Sequence, residues 1–323
     1  MPAEPSGEPE DAERSARLDA LTTEQVNPAT VAIDRMSPLD IVRAMNAEDA
    51  TVARAVAREL PQIARAIEAI VARLRRGGRL LYVGAGTSGR LGALDALECP
   101  PTFNIAPEVI VGQIAGGSFA LSQASEEYED NTQAGQDDIA CLAVTAADVV
   151  VGITASGRTP YVLGAVTAAR ARGALTIGLA CNAAPPLFAL VDLAIAPLVG
   201  AEVIAGSTRL KAGTAQKMVL NMLSTATMIV LGKTYGNLMV DVQPTNTKLR
   251  ARAVEIVRQA SGLERDAGAA LLRACAGETK TAILAARAHL TPEVARARLT
   301  AHDGVLWAAL AAGETRDATE TRE

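Results

Sequence analysis

The chain has 323 residues, of which 49% are hydrophobic and only 2% aromatic, and its formal net charge is −5. This length allows one large domain with a smaller one, and an acidic chain with so few aromatic side chains argues against nucleic-acid binding. No secretory signal or membrane-spanning segment is predicted, and the four cysteines are widely spaced, so we expect a cytoplasmic protein with reduced thiols.

The N-terminal part of the chain predicts a tail followed by helices. Residues 1–20 are acidic and Pro-rich and predict a disordered tail, as do residues 313–323 at the other end. Ser37 followed by Pro38 is typical of a helix start. The amphipathic stretch from Ala47 to Arg76 predicts one long helix that ends at a pair of glycines.

Short apolar runs alternate with helical patterns in the middle of the chain, which predicts βαβ units and a parallel sheet. Helices are predicted at Tyr161–Arg172 and at about Ser207–Tyr235. The strand candidates lie within residues 79–86, 108–117, 148–157, 175–182 and 193–200.

The C-terminal part has a different pattern. From about Leu249 onward the sequence shows short helical segments and no strand candidate. We therefore predict a main α/β domain over residues 21–248 and a small all-helical module over residues 249–312.

Two segments of the predicted sheet are near copies of each other. VGAGTSGR at 83–90 and VGITASGR at 151–158 agree at five of eight positions. Each follows a predicted strand and opens a predicted helix, where free N–H groups and the helix dipole favour an anion. Ser88, Ser156 and Thr159 add hydroxyl donors at the same place. The pair of loops predicts a site for one small phosphate.

Two other interpretations of these loops stay open. The first loop matches the dinucleotide fingerprint, which requires an acidic residue at the end of the next strand. Glu108 instead precedes the next apolar run, and a dinucleotide does not explain the second loop. Alternatively, both segments are tight turns whose serines cap helices.

Carboxylates are the leading candidates for acid–base chemistry near the loops, because the only two histidines, His289 and His302, lie near the C-terminus. Glu98 and the acidic cluster EEYED at 126–130 lie between the two loops in the sequence. Each also has an ordinary interpretation. The cluster is compatible with a solvated surface, and Glu98, beside two prolines, with a structural polar residue.

The longer motifs carry a family resemblance. GAGTSGR and TASGRTP resemble the sugar isomerase (SIS) domain family of phosphosugar binders. Residues 22–49, 84–103, 152–166, 199–225 and 236–254 are similar to the bacterial N-acetylmuramic acid 6-phosphate etherases. The resemblance implies an SIS-type three-layer αβα sandwich with a parallel sheet, of the flavodoxin-like or Rossmann-like kind.

The resemblance also implies a reaction and its residues. Such enzymes are cytoplasmic homodimeric lyases that release D-lactate from N-acetylmuramic acid 6-phosphate in peptidoglycan and amino-sugar recycling, without a metal or other cofactor. By resemblance, Glu98 is the catalytic acid and Glu129 the catalytic base. The residues that would hold the phosphate are Thr87, Ser88, Gly89, Ser156, Gly157 and Thr159.

The chemistry of the reaction is consistent with two carboxylates. The C2 proton of the sugar is acidic only when C1 is an aldehyde, so the ring opens before a base removes that proton and an acid assists the C3 leaving group. Glu98 lies ten residues after Ser88, about 15 Å along a straight helix. That length exceeds a hexose and favours a site that a second subunit completes. Glu202, Ser207 and Lys211 are equally compatible with sugar contacts and with capping of a long helix.

Two other functions remain as alternatives. One is a non-catalytic phosphosugar-binding regulator, and the other is an aldose–ketose isomerase that acts on the same C2 proton. The single SIS domain and both glutamates favour the lyase.

Overall fold

The computed structural model describes residues 21–121, 126–242 and 247–312, so both predicted tails lie outside the described residues. Contacts divide the chain into two units. The first comprises Met1–Leu97 and Glu108–Leu223, and the second comprises Glu98–Pro107 and Ser224–Glu323. The domain boundary predicted at residue 248 stays a prediction.

Among the described residues, three α-helices precede the sheet: α1 (Pro38–Asp49), α2 (Val52–Arg58) and α3 (Leu60–Leu74). The predicted helix start is confirmed, since the Ser37 side chain accepts a hydrogen bond from the Asp40 N–H. The prediction of one helix over residues 47–76 is wrong. The Thr51 hydroxyl donates to the Glu48 carbonyl, and Pro61 has no N–H to continue a helix through α3's first turn.

The predicted strand candidates form a parallel sheet with the order β2-β1-β3-β4-β5 among the described residues. Both β1 and β3 are fully buried, which explains their continuous apolar sequences. Gly84 at the end of β1 pairs with Ile114 of β2 on one side and Ile153 of β3 on the other. The strands are β1 (Leu80–Gly84), β2 (Ile110–Ile114), β3 (Val149–Ile153), β4 (Leu175–Leu179) and β5 (Leu193–Ile195).

Helices cover both faces of this sheet. The described α-helices that begin in the first unit after β1 are α4 (Gly86–Phe103), α5 (Thr132–Cys141), α6 (Pro160–Ala171), α7 (Pro186–Ala189) and α8 (Lys211–Val230). On one face, Gly92 of α4 lies so close to Tyr82 that an added Cβ would be 2.9 Å from the Tyr82 Cβ. On the other face, Leu81 and Val83 share a buried cluster with Val162 of α6. The predicted three-layer αβα sandwich is therefore confirmed.

The second unit contains several helices and no strand in its described part, as predicted for the C-terminal region. It contains α9 (Thr247–Ser261), α10 (Arg265–Ala274), α11 (Thr279–Arg287) and α12 (Pro292–Ala301). Val257, Leu272 and Leu284 are buried in a common cluster, so these helices have an apolar core of their own. In the part of the chain that is described, no helix is long and apolar enough to cross a membrane.

Candidate active site

A cavity of about 460 Å³ lies in the first unit, where β1 and β3 end. The first serine loop contributes Gly86, Thr87 and Ser88 to its lining, and the second contributes Ser156 and Thr159. The two loops meet because β1 and β3 are adjacent parallel strands whose carboxyl ends share one edge of the sheet. The structure thus brings the duplicated motif together around a single space.

The first loop presents the start of α4 to this cavity. N–H groups in the first turn of a helix have no partner within it. Gly86 begins the helix with a φ of +51°, a conformation that glycine adopts without strain. Ser88 is buried, and its hydroxyl donates to the Gln216 Oε1 of α8 at 3.0 Å. Gln216 therefore fixes the orientation of the Ser88 side chain at the cavity wall.

Gly89 packs the loop closely against the sheet. Its N–H donates to the Ala85 carbonyl at 3.1 Å, and an added Cβ would lie 2.6 Å from both the Gly84 oxygen and the Ile114 Cγ1. These contacts explain why the position is glycine. Its predicted role in phosphate binding stays a prediction, since Gly89 is not among the residues that line the cavity.

The second loop carries a cluster of hydroxyl groups. Thr154, which sequence reasoning missed, lies 2.7 Å from Thr159 and 3.4 Å from Ser156, measured between side-chain oxygens. The Gly157 N–H donates to the Thr154 hydroxyl, and the φ of Gly157 is +70°. An added Cβ there would be 2.4 Å from Pro185. Gly157 shapes the turn, so its direct contact with phosphate stays a prediction.

The two predicted catalytic glutamates lie in different places. Glu129 is half-buried, lines the cavity, and places its Oε1 only 2.7 Å from where a Cβ on Gly86 would be. Its carbonyl accepts a hydrogen bond from the Tyr161 N–H at the start of α6. Glu98 is exposed on α4 and is not among the residues lining this cavity. The structure brings Glu129 to the serine loops.

Four further polar residues line the cavity and were missed by sequence reasoning. Arg90 and Arg158 end the two copied motifs, so their repetition was a usable signal for anion binding. Thr208 precedes α8, and Glu24 comes from the N-terminal segment. Nothing in the local sequence marks either of these two as part of the site.

Glu202 and Lys211 stabilise the start of α8. The buried Glu202 carboxylate accepts hydrogen bonds at 2.9 Å from the N–H groups of Lys211 and Ala212, and its burial raises its pKa. The Lys211 ammonium is also buried and lies 2.5 Å from a Glu48 carboxylate oxygen. Neither these residues nor Ser207 line the cavity, and the contacts of the Glu202 carboxylate fit the capping interpretation.

The chain matches two family models. The model described as the glucokinase regulatory protein N-terminal SIS domain matches residues 62–170, and that of the SIS domain matches residues 119–226. Together they cover the sheet and both serine loops.

Full-length relatives match nearly the whole chain. An N-acetylmuramic acid 6-phosphate etherase of Streptomyces avermitilis is 56% identical over 92% of this chain and 96% of that protein. The N-acetylmuramic acid 6-phosphate etherase of Edwardsiella ictaluri is 54% identical over 92% of this chain and 99% of that protein. Among solved structures, a phosphoheptose isomerase from Francisella tularensis is 21% identical, covers 60% of this chain and 100% of that one, and has a TM-score of 0.45.

Proposed function

Because the chain belongs to the family of N-acetylmuramic acid 6-phosphate etherases, lyases that release D-lactate from that sugar phosphate, we propose that the cavity between its serine loops binds this substrate by the phosphate. Ser88, Ser156 and Thr159 supply hydroxyl donors, and the start of α4 supplies backbone N–H groups. Arg90 and Arg158 add positive charge at the cavity wall. The observation that carries the proposal is that both loops and Glu129 line one cavity.

Glu129 is the base that removes the C2 proton. Once the sugar is open, the C1 aldehyde makes this proton acidic, and its loss allows the C3–oxygen bond to break. The lactate oxygen takes a proton from the catalytic acid as it leaves. Water then adds across the resulting C2–C3 double bond, with hydroxyl at C3 and hydrogen at C2, to give N-acetylglucosamine 6-phosphate. These steps require one acid and one base, each contributing about 10²–10⁴-fold.

Glu98 is the acid and acts across a homodimer in the cytoplasm. It lies ten residues beyond Ser88 in the same helix, or about 15 Å along its axis. A second subunit that presents its own Glu98 satisfies the need for an acid in the cavity. Mixing the inactive Glu98→Gln and Glu129→Gln proteins would then regenerate one intact site in each mixed dimer. Lactate release by the mixture supports this arrangement, and an inactive mixture of exchanged subunits contradicts it.

Single variants test the cavity assignments through D-lactate release from N-acetylmuramic acid 6-phosphate. We expect Glu129→Gln to lower kcat by about 10²–10⁴-fold with little change in KM. Ser88→Ala and Ser156→Ala should mainly raise KM, since they bind a group that does not react. Glu127→Gln is the matched control, because Glu127 is exposed in the same acidic cluster. Wild-type kcat in Glu129→Gln would overturn its assignment as the base.

A further inference from the structure

One step of this reaction has no residue assigned to it. The substrate is a cyclic hemiacetal, and it must open to the C1 aldehyde before its C2 proton becomes acidic. Opening requires a group that takes the proton of the C1 hydroxyl and a proton that is delivered to the ring oxygen. Glu129 acts at C2 and Glu98 at the C3 leaving group, so another acid–base group is needed at C1.

A second carboxylate, that of Glu24, lines the same cavity as Glu129 and the serine loops. The segment that carries it is tied to the sheet by the buried Asn182 beyond β4. The Thr22 hydroxyl donates to the Asn182 Oδ1 at 3.0 Å. The Asn182 Nδ2 lies 3.0 Å from both the Thr23 hydroxyl and the Ala155 carbonyl, to which it donates. Asn182 thus connects the N-terminal segment to the second serine loop.

The Glu24 segment is also held by the chain that precedes α8. The Gly206 N–H donates to the Thr23 carbonyl at 3.1 Å. The Glu24 Oε2 lies 2.7 Å from where a Cβ on Gly206 would be, so this carboxylate rests directly against the backbone. Thr208, two residues on, lines the cavity as well. Glu24 is therefore placed in the cavity by contacts on two sides.

We propose that Glu24 opens the sugar ring, an assignment that rests on the proposed function of the cavity. Its carboxylate takes the proton from the C1 hydroxyl, the C1–ring oxygen bond breaks as the C1 carbonyl forms, and the ring oxygen receives the proton from the same carboxyl group. The proton count is unchanged at the end of the step, and no oxidant or reductant is involved. Glu24 is thereby ready for the next substrate while Glu129 remains ionised for C2.

The test isolates ring opening by using N-acetylglucosamine 6-phosphate, which opens in the same way and has no lactyl group to lose. Enzyme-catalysed exchange between its α and β anomers is measured by NMR exchange spectroscopy, and binding is measured by calorimetry. We expect Glu24→Gln to lower the exchange rate by about 100-fold or more while still binding the sugar phosphate. Glu129→Gln is expected to retain exchange although it releases little lactate. The control is Gln25→Ala, at an exposed neighbouring position.

A second variant separates chemistry from folding. Glu24→Ala leaves space for a small carboxylate, and added formate, but not chloride, should restore anomer exchange. Failure of formate to restore it overturns the assignment, as does wild-type exchange in Glu24→Gln. The assignment of Glu24 is also overturned if Glu129→Gln loses anomer exchange, whether or not the separate Glu24→Gln variant loses it too. Failure of the proposed function would be seen separately, as lactate release by Glu129→Gln.

Discussion

Replacing Gly86 with alanine would displace the carboxylate of Glu129, the proposed base, without altering any reacting group. The new methyl group would start 2.7 Å from the Glu129 Oε1, whereas ordinary contact begins at 3.4 Å, so the carboxylate must retreat by about 0.7 Å. A misplacement of about 1 Å can cost 10²-fold in rate. We therefore expect kcat to fall by about 10- to 100-fold. The positive φ of +51° adds about 1–2 kcal/mol of backbone strain for a non-glycine residue.

The assay is D-lactate release at saturating substrate, together with thermal unfolding of the same protein. Gly236→Ala is the matched control, because Gly236 has a similar φ of +55° and no atom within 4 Å of an added Cβ. It should lose similar stability and keep the wild-type kcat. If Gly86→Ala also keeps the wild-type kcat, the position of the Glu129 carboxylate does not limit the reaction and the reasoning is refuted.

Three further predictions concern buried polar groups. Asp148→Asn should lower the free energy of unfolding in urea by about 3–5 kcal/mol at neutral pH, because it breaks a mostly buried ion pair with Arg79. Burial raises the pKa of Asp148, but hydrogen bonds from Arg79 and a nearby N–H outweigh it and hold this pKa below its usual range. The stabilisation is therefore full above about pH 4 and is lost as the pH falls, and a pH-independent difference would contradict this. Gln216→Leu should raise KM about fivefold, since Ser88 loses a hydrogen bond worth about 1 kcal/mol; an unchanged KM would show that Ser88 needs no such support. Burial and a nearby carboxylate raise the pKa of Cys181 to about 12, so iodoacetamide should label it only after unfolding, as mass spectrometry of native and urea-treated protein would show.

The parts of the molecule that sequence reasoning predicted are those with local signals. Each strand is a short apolar run, and each serine loop carries its hydroxyl groups next to the strand that positions it. Glu24 has no such signal, because its segment is held by hydrogen bonds from Thr22 and Thr23 to Asn182, which join distant parts of the chain. Gly89 shows a different limit, since a glycine required for close packing has the same sequence signature as one that approaches a ligand. The wrong prediction of one helix over residues 47–76 was avoidable, because Pro61 is visible in the sequence and lacks the N–H that a continuous helix requires.

The strand order reverses between β1 and β3, and the cavity at this point is lined by two kinds of segment. The serine loops, to which the proposed function assigns the phosphate, follow directly from the ends of β1 and β3, so the sheet fixes their position. Glu24 and Glu129, which also line the cavity, lie on segments that belong to no strand. New side chains on these segments and at position 98 of α4 can therefore change the reaction, while the sheet and the serine loops at its strand ends stay the same.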